Sequence, residues 1–390
     1  MRRSPLFKLP SAAERIRPRR GAPSGGGSSA KPALTLFLWS RAAIWVLAAV
    51  AVVGFDGAIN ARRGEWDNAR LHDLGAAIDV WARWDSNWFI RIAEHGYSWP
   101  SGTPAFFPLY PLLVAGLGQV LGGHILLAGV VVSLAAGTAA FGLLYRLTLE
   151  RLGEETARRT MLFLAVAPTS LFFGAVYSES LFLLLTVAAF LAAERGRFWQ
   201  AGAVAGLALL TRAAGVALLP ALLVLAWRAP DRRRALAGLA LAPALFLLYP
   251  LLLAVWIGHP FAFREAERAL WGRRLSPAGP LGGIIAAVQH REVVDLGVAA
   301  ALIVLGVVAW RRIGAAYGLY TLVSVAIPLT FPSDRFPLWS MQRFAVVVFP
   351  AFMALATIVR GRRAVLVTAT ILGAGLAVYV VRWALWFWIA

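Results

Sequence analysis

The residues able to do chemistry fall in a few short segments. Residues 81–97 read Trp81-Ala82-Arg83-Trp84-Asp85-Ser86-Asn87-Trp88-Phe89-Ile90-Arg91-Ile92-Ala93-Glu94-His95-Gly96-Tyr97. Apolar positions 81, 84, 88, 89 and 92 share one stripe of a helix, and Gly96 is placed to terminate it. So many tryptophans predict a helix lying at the membrane–water interface. Asp85 falls on the same stripe, four residues after Trp81 and four before Phe89. A carboxylate facing the membrane beside Trp is partly desolvated, which raises its pKa and its strength as a base. The competing reading is an ordinary helix cap.

Ala105-Phe106-Phe107-Pro108-Leu109-Tyr110-Pro111 either lines a groove for a lipid chain, with Phe107 and Tyr110 at its wall, or marks a Pro-broken entry into the membrane. Tyr177-Ser178-Glu179-Ser180 separates two apolar runs. An acid there faces a cavity or a partner, unless the segment is a simple polar hairpin. Arg212 interrupts a long apolar stretch at Thr211-Arg212-Ala213-Ala214-Gly215 and needs an anion. A carboxylate such as Glu179 would serve, and so would a phosphate, which suits the planar guanidinium fork. Residues 257–292 add Arg264, Glu265, Glu267, Arg268, Trp271, Arg273, Arg274, His290 and Arg291, an arginine content that fits a local anionic ligand on an outer loop, although long outer loops also tolerate positive charge. Arg343, in Ser340-Met341-Gln342-Arg343-Phe344, opens a further apolar run either as a snorkelling anchor or as a phosphate ligand.

The elements that position these residues must be membrane helices. Of 390 residues, 60 % are hydrophobic and 15 % charged, with a mean hydropathy of +0.70. That excludes a soluble enzyme and a disordered chain. At about 20 residues per crossing, the apolar supply suffices for about ten spans. The formal charge of +19 is almost wholly arginine. With no soluble basic domain to carry it, it reads as membrane orientation and not as nucleic-acid binding. There is no cysteine, which removes disulfides, haem thiolates and thiol-ligated zinc, and the five histidines form no HExxH spacing.

Residues 1–33 are predicted as a disordered basic cytoplasmic tail, and 34–390 as one transmembrane domain. Spans are expected near 34–54, 124–146, 160–176, 179–193, 198–212, 213–227, 236–256, 293–310, 314–331, 343–359 and 364–388. Residues 55–103 and 257–292 form outer loops, 105–122 is a re-entrant or interfacial piece, and 198–212 and 213–227 are short enough to be broken helices. Arginine-bearing breaks at 146–159, 194–197, 228–234, 311–312 and 360–363 mark the cytoplasmic side. Thirteen of the 19 acidic residues then collect on the other side, together with Arg212, Trp271, Arg273 and Arg343. A desolvated acid beside several cations at an interface suits group transfer from a lipid phosphate.

RWDSNWFIRIAEHGY, FFPLYPLL, YSESLF, TRAAG, WGRRLSP and SMQRFAVVVFPAF, in that order, closely resemble the PIG-V family, the GPI mannosyltransferases that add the second mannose. The resemblance runs from about residue 81 to 353. It implies a GT-C glycosyltransferase fold of about 10–12 transmembrane helices whose first outer loop bears the catalytic acid, here Asp85. It also implies a polyprenyl-phosphate-linked sugar, usually mannose, as donor, and transfer with inversion. Arg83, Trp84, Glu179, Arg212, Trp271, Arg273 and Arg343 occupy the other motif positions. In the resulting scheme Asp85 is the base, Arg212, Arg343 and Arg273 bind the donor phosphate, and Arg83, Trp84, Phe107, Tyr110, Tyr177, Glu179 and Trp271 border substrate and lipid. No cofactor is required, although Asp85 and Glu179 are placed to hold a divalent metal. The acceptor is a glycan, glycolipid or protein hydroxyl. The Arg- and Ala-heavy composition suggests a bacterial source, hence a cell-membrane enzyme acting on the extracytoplasmic face.

Two other classes fit a polytopic chain. A transporter or lipid flippase should show two similar halves, and the outer loops here are unlike one another. A non-catalytic lipid-binding subunit has no need of an acid on the loop stripe.

Overall fold

A computed structural model describes residues 30–55 and 58–389. Most of the predicted tail 1–33, and Asp56-Gly57 beyond the first span, lie outside the described residues. Among the described residues five helices are long and apolar enough to cross a membrane: Lys31–Gly54, Ile125–Leu152, Arg232–Ile257, Val293–Arg312 and Arg362–Ala384. Six further apolar helices, from Leu109–Val120 to Phe349–Ile358, have 10–17 residues. Among the described residues no strand forms, and the isolated bridge pairs Arg273 with Ser333. The chain is an all-α polytopic membrane protein.

The helices turn apolar faces outward. Val46, Val50 and Val53 are exposed on Lys31–Gly54 at helical spacing, and Leu366, Val367 and Ile371 on Arg362–Ala384. Such stripes fit hydrocarbon as the surrounding solvent. The centre of the bundle is Glu179–Glu194, buried nearly all round against Ile125–Leu152 and Phe198–Leu209. Close approach there depends on small residues: a Cβ on Gly129 would lie 2.5 Å from Val176, and one on Gly137 2.6 Å from Phe37.

Two predicted spans are broken. Residues 160–176 hold the end of Glu154–Ala165 and then the separate turn Ser170–Phe173, with Pro168, which lacks an N–H, between them. The carbonyls freed at that break are taken by Arg41, a buried arginine of the first span. It donates to Ala165 O at 2.9 Å, to Ser170 Oγ at 3.2 Å and to Ser170 O. Residues 343–359 divide into Met341–Ala345 and Phe349–Ile358, the latter with Pro350 in its first turn. The pair 198–212 and 213–227 is interrupted as the sequence reading allowed: Arg212 is extended (φ −157°, ψ 145°) between Phe198–Leu209 and the turn Ala213–Ala217. Glu179, Arg212 and Arg343 each stand at or beside one of these interruptions. Irregular backbone at this depth survives where it is buried in protein or lines a cavity.

The outer segments also differ from expectation. The helix of the first loop is Ser86–His95, five residues shorter at its start than the stripe from Trp81. Trp84 sits in the left-handed region (φ 53°), which halts helical continuation just before Asp85. Trp81 and Trp84 face protein instead of lipid. Trp81 stacks on Trp45 at 5.5 Å, and Trp84 packs edge-on against Trp388 at 5.1 Å. Leu109–Val120 has 12 residues, about 18 Å of helix, too short to cross alone. The loop 257–292 contains two helices, Ala262–Trp271 and Pro280–Gln289. Gly272 (φ 62°) ends the first, and a Cβ there would crowd Asp334 at 3.1 Å, so glycine permits the Arg273–Ser333 bridge.

Candidate active site

Asp85 occupies the N-cap of Ser86–His95, yet its side chain makes no capping bond. Its Oδ2 accepts from Arg343 Nη1 at 2.5 Å. Both side chains are nearly covered, 13 % and 10 % exposed. Arg343 also reaches the wholly buried Glu179, Nε to Oε1 at 3.5 Å. The same Oε1 accepts from Arg212 Nη1, which lies 3.4 Å from Ser178 Oγ. Asp85, Arg343, Glu179 and Arg212 thus form one alternating chain of charges, assembled from residues up to 258 positions apart. Among the described residues Glu179 Oε2 has no hydrogen-bond partner, a costly condition for a buried carboxylate oxygen.

Arg273 belongs to the same group. The guanidinium carbons of Arg212, Arg273 and Arg343 lie 5.3, 5.8 and 5.6 Å from the centre of the Phe344 ring. Arg273 is fixed by bonds to Phe331 O (3.3 Å) and Trp339 O (2.8 Å) and approaches Glu267 at 3.6 Å. Three arginines expected from sequence to meet a phosphate therefore surround one aromatic ring. Glu267, which the sequence offers only as one of several charges of the outer loop with no role in the scheme, joins the group. It lies on the face of Ala262–Trp271 turned toward Arg273, a signal that the i, i+6 step between the two does not reveal. Desolvation in the recess raises its carboxyl above the ordinary range, opposed by the Arg273 charge, although its outer side stays open to solvent.

Tyr177 positions the acid. Its hydroxyl accepts from the Asp85 N–H at 3.0 Å and donates to Arg83 O at 3.2 Å. Tyr110 supports it from below: Ser133 bonds both the Tyr110 hydroxyl (2.9 Å) and Tyr177 O (3.1 Å). Trp84, left-handed and buried, stores backbone strain of about 1 kcal/mol or more beside the acid, a feature common at functional sites.

Other candidates lie elsewhere or act indirectly. Arg83 points away from the charge chain, donating to Asp79 O (2.7 Å) and Ala82 O (3.0 Å) with its guanidinium 4.2 Å over Trp386. Phe107 is packed inside protein against Tyr249 at 4.8 Å, and Tyr110 is fully buried, so neither forms the wall of a lipid groove. An apolar groove of about 630 Å³ does lie one turn further along, lined by Leu112, Leu117, Val132, Ala136, Leu181 and Leu184. Trp271 packs edge-on against Phe106 (5.6 Å) and Trp88 (6.4 Å), forming an aromatic wall on the Ser86–His95 side. Asp85 does not face the membrane as the stripe implied; it turns inward to Arg343. A metal shared by Asp85 and Glu179 would have to displace that guanidinium, which stands between them. Among the described residues no group of three potential ligand side chains gathers.

A family model described as Mannosyltransferase (PIG-V) matches residues 70–229, which include Asp85, Glu179 and Arg212 and end before Trp271, Arg273 and Arg343. The chain is 36 % identical over 146 residues to GPI alpha-1,6-mannosyltransferase 2 of Cricetulus griseus, covering 35 % of this chain and 29 % of that protein. It is likewise 36 % identical over 152 residues to the Mus musculus protein of that name, and 36 % over 129 residues to that of Homo sapiens. The matches span about three tenths of the length of these relatives.

Proposed function

We propose that this chain is an integral-membrane glycosyltransferase of the GT-C type that moves a hexose, mannose by its resemblance, from a polyprenyl-phosphate donor to an acceptor hydroxyl with inversion. The observation that carries the reading is the Asp85–Arg343–Glu179–Arg212 chain with Arg273 at its side. The likeness of residues 70–229 to mannosyltransferases supports it.

In this scheme the acceptor oxygen attacks the anomeric carbon as the bond from that carbon to the phosphate oxygen breaks. Asp85 takes the hydroxyl proton, and the bond's electron pair leaves with the polyprenyl phosphate. The carboxylate loses one negative charge as the phosphate gains one. Arg343, bonded to Asp85, is placed to transfer its attraction to the departing phosphate, joined by Arg212 and Arg273. Prearranged guanidinium donors in a water-poor site stabilise such developing charge strongly. The arginines meet the phosphate charge without a metal. The free Glu179 Oε2 is an acceptor for a sugar hydroxyl. The apolar groove, whose Leu181 is two residues from Glu179, suits the polyprenyl chain. The reaction is assigned to the extracytoplasmic face of a bacterial cell membrane, with the N-terminus cytoplasmic.

The test is purified protein in liposomes with radiolabelled polyprenyl-phosphate mannose and a membrane extract as acceptor source. Label passing from donor to a new product is the expected result. Donor crossing the bilayer unchanged would instead indicate a flippase, and neither transfer nor movement a binding subunit.

A further inference from the structure

The far end of the bundle holds a cavity of about 460 Å³ lined by Leu152, Thr156, Arg159, Arg312, Thr357 and Arg360. It is remote from Asp85. Phe349–Ile358 begins just beyond Arg343 and carries Thr357 at its other end, a separation of about 12 Å along the helix. Glu154–Ala165 spans the same interval: Arg159 and Thr156 lie toward its start, whereas Thr169, past its end, donates to Gln342 O beside the candidate active site at 2.8 Å.

Three guanidinium groups from different elements meet there. Arg312 Nη1 and Arg360 Nε both donate to Thr357 O, at 2.9 and 2.7 Å. Arg159 donates to Val359 O at 2.9 Å and to Glu155 O at 3.1 Å. Three of these four bonds satisfy carbonyls at the end of Phe349–Ile358, and the fourth is local to Glu154–Ala165. The arginines spend only one or two of their five donors each in this way. Among the described residues no carboxylate lines the cavity; Glu155 touches Arg159 at 3.4 Å from an exposed position beside it. Three like charges converging on a polar hollow, met by one exposed carboxylate at the side of Arg159, leave a net positive receptor for an oxyanion.

We propose that the Arg159–Arg312–Arg360 cavity binds a phosphate oxyanion, supplied either by the headgroup of an anionic phospholipid or by free phosphate, separately from the glycosyl-transfer site and independently of that function. Basic hollows between membrane helices on the arginine-rich side are suited to anionic headgroups.

The full chain, purified in detergent, is titrated with short-chain phosphatidylglycerol, with short-chain phosphatidylcholine and with inorganic phosphate, reading affinity and thermal midpoint. Phosphatidylglycerol should bind and stabilise where phosphatidylcholine does not. The R312Q/R360Q variant should bind it roughly thirtyfold more weakly, from about 1 kcal/mol per arginine. R343K, altered at the other end, should retain that binding. Equal protection by inorganic phosphate identifies free phosphate as the source, and protection by phosphatidylglycerol alone identifies the lipid. If the double variant fails to fold, R360Q, which removes a single backbone bond, should show a smaller loss of the same sign. Binding no stronger than that of phosphatidylcholine, or variants that respond like the wild type, would overturn the proposal.

Discussion

Asp85→Asn is expected to lower the transfer rate by about a thousandfold or more, the contribution of a positioned general base, while leaving the fold and donor binding intact. The side chains have nearly the same shape, and an asparagine Oδ1 can still accept from Arg343 where Oδ2 now does at 2.5 Å. The bond that fixes the backbone here, from the Asp85 N–H to Tyr177, does not involve the side chain. What disappears is the site that takes the proton, together with one negative charge beside Arg343. Donor affinity should therefore stay the same or rise, because the phosphate no longer competes with a carboxylate for that guanidinium. The measurement is single-turnover transfer set beside equilibrium binding of labelled donor. Turnover near the wild-type rate would remove Asp85 from the chemistry.

The second large effect concerns Arg343, which lies between Asp85 and the fully buried Glu179. Arg343→Ala should abolish transfer and also destabilise the protein by about 3–5 kcal/mol, because it strands buried charge. Arg343→Ala leaves Asp85 without its partner while Glu179 keeps Arg212, a net negative cluster; adding Glu179→Gln restores neutrality, with Asp85 and Arg212 of opposite sign. The double variant should regain part of the lost thermal stability and none of the activity. Arg343→Lys keeps the charge but loses the planar fork needed to serve two partners. It should fold well and transfer about a hundredfold more slowly, in the range seen when one donor to a developing oxyanion is lost. Activity recovering in step with stability in R343A/E179Q would mean that Arg343 only supports the fold.

Long apolar runs bounded by arginine were legible as spans, and Lys31–Gly54, Val293–Arg312 and Arg362–Ala384 lie close to where composition put them. The interruptions were harder to see. Nothing local announces that Ala165 and Ser170 will surrender their carbonyls to Arg41, more than a hundred residues earlier. The stripe from Trp81 to Ile92 has helical period, but it could not show that Trp84 adopts a left-handed backbone and delays the helix to Ser86. Apolar spacing also cannot tell a lipid-facing tryptophan from one buried against Trp45 or Trp388. The arginines and acids of the site were recognisable one at a time, because charge in apolar surroundings demands a partner. Their pairing was not, since Asp85 and Arg343 are joined only by the tertiary fold. Arg83 misleads for the opposite reason: it adjoins Asp85 in sequence, yet its guanidinium turns to Trp386.

The most direct measurement is an experimental structure of the chain in a lipid disc with a non-transferable polyprenyl-phosphonate mannose bound. The expected result places the phosphorus group within about 4 Å of the Arg343 and Arg212 guanidinium groups, with Asp85 released from Arg343 and turned to the side of the sugar that an acceptor would approach. A phosphonate bound away from these arginines, or an Asp85–Arg343 pair left intact beside a fully seated donor, would contradict it.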